Sequence, residues 1–293
     1  MMFLRTEKKN GKHKLMRIFG IDFTSAPSHT KPITCAVCKL QDNHLKVQDC
    51  LKLVSFSDFE ALLCSSGPWL AALDFPFGQS SRLISNLKWP EEWEDYVQII
   101  TSMGKKEFEE TLKRYVEGRP IGDKVHLRTT DVVAGARSPM MLYRVPVGKM
   151  FFEGATRLLR ANVSVLPCRP MADTRMVVEG YPALVARRII AKQSYKSEER
   201  SKQTKDRKMA RREIVLGLRS SEIVKWYGLK VELSDEMSER LVEEPMGDEL
   251  DAVLCSVQGG WSWLQKFNGY GIPEVCKRIE GWIVDPLASL HKH

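Results

Sequence analysis

Apolar residues fall along this chain in two rhythms. Residues 17–22 (Arg-Ile-Phe-Gly-Ile-Asp) are a short apolar run ending in an acid, followed by Thr24-Ser25-Ala26-Pro27. Such a run, bounded by a turn, predicts a buried strand with Asp22 at its carboxyl end. Residues 33–40 and 45–54 are rich in β-formers and separated by Asp42-Asn43, a turn signal, so a three-strand meander is expected. Ser57-Asp58 followed by Glu60 opens a short helix over 57–64. Residues 69–73 are again continuously apolar and end in Asp74, with Pro76 and Gly78 to stop them. They predict a second buried strand with an acid at its end.

Helical spacing then takes over. Residues 91–103, 105–116 and 147–161 carry apolar positions on one face. Between them Arg128-Thr129-Thr130-Asp131, Gly135, Ser138 and Pro139 predict an irregular polar loop. The stretch from about 79 to 170 therefore reads as a mostly helical insertion. Residues 175–179 form a third short strand ending in Glu179, and Gly180-Tyr181-Pro182 turn it into a helix over 183–191. Further helices are expected over 206–216, 221–227 and 235–242. A last one runs from Asp248 to about 257 and is ended by Gly259-Gly260. The aromatic tail beyond it (Trp261, Trp263, Phe267) packs back on the body. No internal repeat is evident.

Composition narrows the class. No apolar run approaches the roughly 20 residues needed to span a bilayer, and no secretory-type apolar stretch follows the basic start. Residues 1–15 are expected to be a disordered basic tail, and 16–290 a single domain in the cytoplasm. Seven scattered cysteines, mostly in apolar contexts, suit reduced buried thiols. Cys35 and Cys38 form a lone CxxC without a second pair, and on a strand they face opposite sides, which favours structural cysteines over zinc. The net charge of +8 leans towards polyanions. Arg187-Arg188 and residues 192–212 are dense in Lys and Arg, whereas 234–249 are acidic. A basic segment beside an acidic cluster suits a nuclease, and equally suits ordinary solvated helix faces.

The candidate chemistry lies in the acids. Asp248 and Asp251 are three apart on a helix and project from one face. Asp22, Asp74 and Glu179 each end a strand, where functional groups gather in open α/β sheets. Such a set can hold two divalent ions about 4 Å apart, one activating a water and the other stabilising the leaving oxygen of a phosphodiester. Carboxylate donors select Mg²⁺ or Mn²⁺.

The element order, with Ile-Phe-Gly-Ile-Asp22 first and Asp248-x-x-Asp251-Ala252 last, resembles the RNase H fold, in the style of the Holliday-junction resolvases. More narrowly, the chain resembles the domain of unknown function 429 family of predicted RNase H-like nucleases. That resemblance rests on Leu73-Asp74-Phe75-Pro76-Phe77-Gly78, Arg128-Thr129-Thr130-Asp131, Ser138-Pro139, Pro146-Val147-Gly148, Glu179-Gly180-Tyr181-Pro182 and Asp248-Glu249-Leu250-Asp251-Ala252, across about residues 17–260. It implies an α/β, RNase H-like mixed sheet, with a three-strand meander plus two parallel strands, flanked by helices. It also implies a metal-dependent nuclease. Asp22 would be the ligand shared by both metals, with Asp74, Asp248 and Asp251 as further ligands; Asp74 stands where the resolvases use Glu. Glu179 would be a ligand, a base or a turn residue. Arg128 and Lys205 would contact substrate phosphate, and Tyr181 would stack on a base or belong to the core. The expected partner is DNA or RNA. The alternative is a non-catalytic module on the same fold that binds nucleic acid or protein. An actin-like ATPase is disfavoured, because the chain has neither a second copy of the fold nor a GxxxxGK[ST] loop.

Overall fold

The computed structural model describes residues 15–289. The tail expected over 1–15 lies, except for Leu15, outside the described residues. The first strands are β1 (Met16–Asp22), β2 (Ile33–Gln41) and β3 (His44–Leu53), followed by α1 (Phe56–Leu63) and β4 (Trp69–Leu73). The insertion carries α2 (Ser81–Asn86), α3 (Trp93–Glu117), α4 (Thr129–Ala134) and α5 (Val147–Ala161). Then come β5 (Ser164–Val165), β6 (Arg175–Glu179), α6 (Pro182–Ile190), α7 (Lys205–Leu218) and α8 (Ser221–Tyr227). The chain closes with β7 (Lys230–Glu232), α9 (Asp235–Glu243), α10 (Asp248–Leu264) and α11 (Pro286–Ser289).

The strands form one mixed sheet in the order β5-β6-β4-β1-β2-β3-β7. β1, β2 and β3 are the antiparallel meander, and β4 and β6 run parallel to β1. The short strands β5 and β7 extend the two edges in parallel pairing.

Alternation along each strand splits the core into two layers. Ile18, Ala36, Cys38, Leu70, Ala72 and Val178 face a layer built from α6 to α10. Phe19, Ile21, Cys35, Trp69, Leu73 and Val177 face the other, built from α1, α2, α3 and α5. Cys35 and Cys38 thus sit in different layers, as a strand demands. All seven cysteines are free thiols; five are buried, Cys276 is half-buried and Cys64 is exposed.

Two expectations need correction. The loop expected around Arg128-Thr129-Thr130-Asp131 contains α4, because the Asp131 carboxylate reaches back to the Arg128 N–H at 2.8 Å and starts a turn. Gly259-Gly260 do not end the last helix. They lie mid-helix where α10 presses on the sheet, and a Cβ on Gly259 would stand 3.2 Å from both Ala72 and Ile18. Likewise, a Cβ on Gly20 of β1 would collide with the backbone of Ala252 and Ser256. Residues without side chains at these points let α10 lie directly on β1 and β4, buried along most of its length. Among the described residues no helix is long and apolar enough to cross a membrane.

Candidate functional site

Register decides which acids meet. Ile21 pairs with Leu73 across the parallel β1–β4 ladder, and the Asp74 N–H donates to the Ile21 carbonyl at 2.9 Å. Asp22 and Asp74, each one residue further on, therefore stand side by side. They share the sheet face of Gly20 and Ala72, the face on which α10 lies. Gly247, at φ +75°, precedes α10, and Asp248 and Asp251 occupy its first turn. Four carboxylates from three elements thus converge at the carboxyl ends of β1 and β4.

Their partners differ sharply. Asp251 is 1 % exposed and both its oxygens are engaged: Oδ1 accepts from the Tyr195 hydroxyl at 2.5 Å, and Oδ2 is ion-paired with Lys196 Nζ. Glu249, between the helical pair, is held by Arg240 at 2.6 Å. Among the described residues no hydrogen-bond donor or ion-pair partner reaches the carboxylates of Asp22, Asp74 or Asp248, and Asp248 is only 8 % exposed. Desolvated acids this close suppress one another's ionisation. Burial, and the charges of Asp251, Asp248 and Asp74 against the pull of Lys196, hold Asp22 well above the ordinary carboxylate range. Burial and then Asp251 push Asp74 up to about 7. Burial raises Asp248 too, against the pull of Lys31 and Lys196. For Lys196, burial opposes the charge, yet Asp251 and then Asp22 keep its ammonium well above the usual lysine range.

Glu179 does not join this group. It pairs with Leu73, so it points to the opposite face of the sheet. There it is 2 % exposed and accepts from Arg128 at 2.6 and 2.8 Å and from the Phe77 N–H at 3.0 Å. Arg128, expected to meet substrate phosphate, is itself 1 % exposed. Its guanidinium is shared between Glu179 and Asp131, with a further bond to the Glu280 carbonyl at 2.9 Å. This buried triad ties the start of α4 to the end of β6 and to the chain's final segment. Lys205 is the exposed first residue of α7, and none of the contacts of the four acids involves it.

Two lysines outside the expected set face the acids instead. Lys196 lies in the loop after α6, and Lys31, in the β1–β2 loop, is ion-paired with Glu198 of that same loop. The only sequence signal for Lys196 was its place in the basic stretch 192–212. Beside Asp74, on the β6 side, a cavity of about 230 Å³ is lined by Phe75, Arg137, Val147, Met150 and Tyr181. The Tyr181 ring lies half-buried with the Arg187 guanidinium 5.4 Å above it.

The donor set is chemically suited to a hard cation: oxygens only, partly desolvated, and without competing donors on three of the four. As placed, however, no group of three or more His, Cys, Asp or Glu side chains among the described residues is arranged to hold a metal ion. Comparison with protein-family models, curated proteins and solved structures finds no match to this chain.

Proposed function

We propose that this protein is a nuclease that hydrolyses nucleic-acid phosphodiester bonds at Asp22, Asp74, Asp248 and Asp251 with Mg²⁺ or Mn²⁺ on an RNase H-like sheet. The observation that carries the reading is the convergence of Asp22, Asp74 and Asp248, three carboxylates with no hydrogen-bond donor or ion-pair partner among the described residues, at the carboxyl ends of two parallel strands. Folding alone gives no reason to assemble them, because each raises the cost of ionising the others. The order β3-β2-β1-β4-β6, a meander followed by two parallel strands, supports the RNase H-like reading.

A divalent ion, if bound there, would supply a Lewis acid for water and charge neutralisation for the phosphate. Asp22 and Asp248 would hold it, with Asp74. The residues of the chain then divide the remaining tasks. Lys196 and Lys31 attract the phosphate backbone to an otherwise repulsive site. Tyr181 offers a ring on which a neighbouring base stacks, with the adjoining cavity to receive it. Arg128, Asp131 and Glu179 hold the cavity wall in place. In the net reaction one water adds to phosphorus, one P–O bond breaks, and the leaving oxygen departs with a proton.

The test is incubation with labelled single-stranded, duplex and branched DNA and RNA, with Mg²⁺, with Mn²⁺ and with chelator. The reading expects cation-dependent cleavage that Asp22→Asn abolishes while circular dichroism stays native. Cleavage that survives in Asp22→Asn, or none on any substrate, counts against it. A second reading, a non-catalytic nucleic-acid-binding module, draws on the Lys196–Asp251 ion pair, which partly neutralises the acids without a metal. Salt-sensitive nucleic-acid binding with no uptake of divalent ion would favour it.

A further inference from the structure

The cavity beside Asp74 is walled by groups that the fold holds in place. Phe75, on one wall, is 2 % exposed and wedged: a Cβ on Gly154 of α5 would stand 2.3 Å from its ring. Its ring also packs against Phe23 and Phe77, at centroid distances of 4.5 and 5.4 Å. Val147 and Met150 come from the first turn of α5. Gly148 seats that turn on the Pro139 carbonyl, where a Cβ would come within 2.8 Å. Gly135, at φ +61°, ends α4 and turns Ala136 and Arg137 to the cavity mouth. The inner wall is the Arg128 triad. Arg128 spends its N–H groups on Asp131, Glu179 and the Glu280 carbonyl, so it has no donor left for a ligand.

Resting on the reading that the chain acts on nucleic acid, we infer that this cavity seats one unpaired nucleobase while Arg137 and Arg187 hold the phosphates beside it. The substrate class is then a strand with at least one unpaired nucleotide, not a continuous duplex. Size favours a single ring system: the cavity measures about 230 Å³, whereas pockets for drug-sized ligands run to about 300–1,000 Å³. Charge places the phosphates at the mouth. Arg137 is exposed and has no ion-pair or hydrogen-bond partner among the described residues. Arg187 is exposed too; it donates to the Ala134 carbonyl and the Tyr181 hydroxyl, both at 3.2 Å, and meets no carboxylate among the described residues. The Tyr181 ring beneath it lines the cavity. An apolar slot with a ring on one side and two uncommitted guanidiniums outside complements a base with its flanking phosphates. A base inside the slot has its pairing edge covered, so it must be single-stranded or swung out of its duplex.

The experiment measures binding of the full-length protein in chelator by fluorescence anisotropy, across a salt series. Labelled probes of one sequence are compared as single strand, as duplex, as duplex with one bulged nucleotide, and as the same bulge made abasic, each in DNA and in RNA. The inference expects the single strand and the bulged duplex, in DNA or in RNA, to bind about tenfold tighter than the plain duplex, as base–aromatic stacking supplies. Removing the bulged base should abolish its gain. Ala136→Trp, which fills the mouth, should abolish the preference for unpaired probes once circular dichroism has shown a native fold. Arg137→Ala and Arg187→Ala should each weaken binding and lower the salt slope by about one. Equal affinity for paired and unpaired probes, or an abasic bulge bound as tightly as the bulged base, overturns the inference and leaves the nuclease reading standing. No binding to any probe also overturns it, and cleavage of the same probes with Mg²⁺ then decides the nuclease reading separately. The abasic comparison in wild type decides even where Ala136→Trp does not fold.

Discussion

Replacing Asp74 by Asn should make the metal-free protein more stable, and increasingly so as pH rises. Asp74 has its carboxyl pushed from the ordinary 3.8 up to about 7, first by burial and then by Asp251. A folded-state pKa above the unfolded one means the folded chain binds more protons between those two values. Stability therefore falls as pH climbs through that window, and the loss is complete above about 7. At about 1.4 kcal/mol per pKa unit, the rise from 3.8 to about 7 caps the penalty at about 4 kcal/mol. Asp74 is partly open to water, and screening brings the working figure to about 2 kcal/mol. Asparagine keeps the shape and carries no charge to desolvate. In chelator at pH 8 the Asp74→Asn protein should thus exceed wild type by about 2 kcal/mol, or about 3 °C in Tm for a chain of this length. Near pH 4 the two should coincide. Urea and thermal unfolding followed by the fluorescence of the seven tryptophans and by circular dichroism measure it. Equal stability at pH 8, or a gap that widens on acidification, would mean that the Asp74 carboxylate carries no burial penalty in the folded chain. Saturating Mn²⁺ should reverse the order, because only the intact acid set gains binding energy on folding.

Three further outcomes follow from the geometry. Arg128→Ala leaves Asp131 and Glu179 buried without their counter-charge and should cost about 3–5 kcal/mol in urea unfolding; a change below about 1 kcal/mol contradicts the buried triad. Gly20→Ala drives a methyl into the backbone of α10, which should destabilise by about 1–3 kcal/mol and, by moving Asp248 and Asp251 from Asp22, weaken Mn²⁺ binding at least tenfold in calorimetry. Tyr181→Ala should weaken single-stranded nucleic-acid binding by about 1–3 kcal/mol with Mn²⁺ affinity unchanged, and unchanged anisotropy titrations would place the bases elsewhere.

The sheet was legible because its strands are the extremes of the pattern: continuous apolar runs for β1, β4 and β6, and β-rich segments about a turn for the meander. β5 and β7, two and three residues long, are too short to carry a period. Asp22 and Asp74 stood out because each ends an apolar run, and Asp248 and Asp251 because they open an apolar helix. Glu179 looked the same and differs for a reason the linear pattern does not hold. It pairs with Leu73, whereas Asp74 lies one residue beyond, and one residue of register reverses the face. Arg128 read as a surface cation because its partner Glu179 is 51 residues away. Lys196 sits in a loop without periodicity, and only the fold brings it to Asp251. Gly259-Gly260 carried the usual signal for a helix end, and the close contact with Ala72 and Ile18 overrides it.

The proposal that Asp22, Asp74 and Asp248 take a divalent cation is the part of the nuclease reading most open to direct observation. Anomalous scattering from a crystal soaked in Mn²⁺ tests it most directly. A peak with carboxylate oxygens of all three acids at about 2 Å is the expected result. A crystal that takes up no Mn²⁺ at these acids, at an occupancy of soak that saturates the protein in solution, would contradict it.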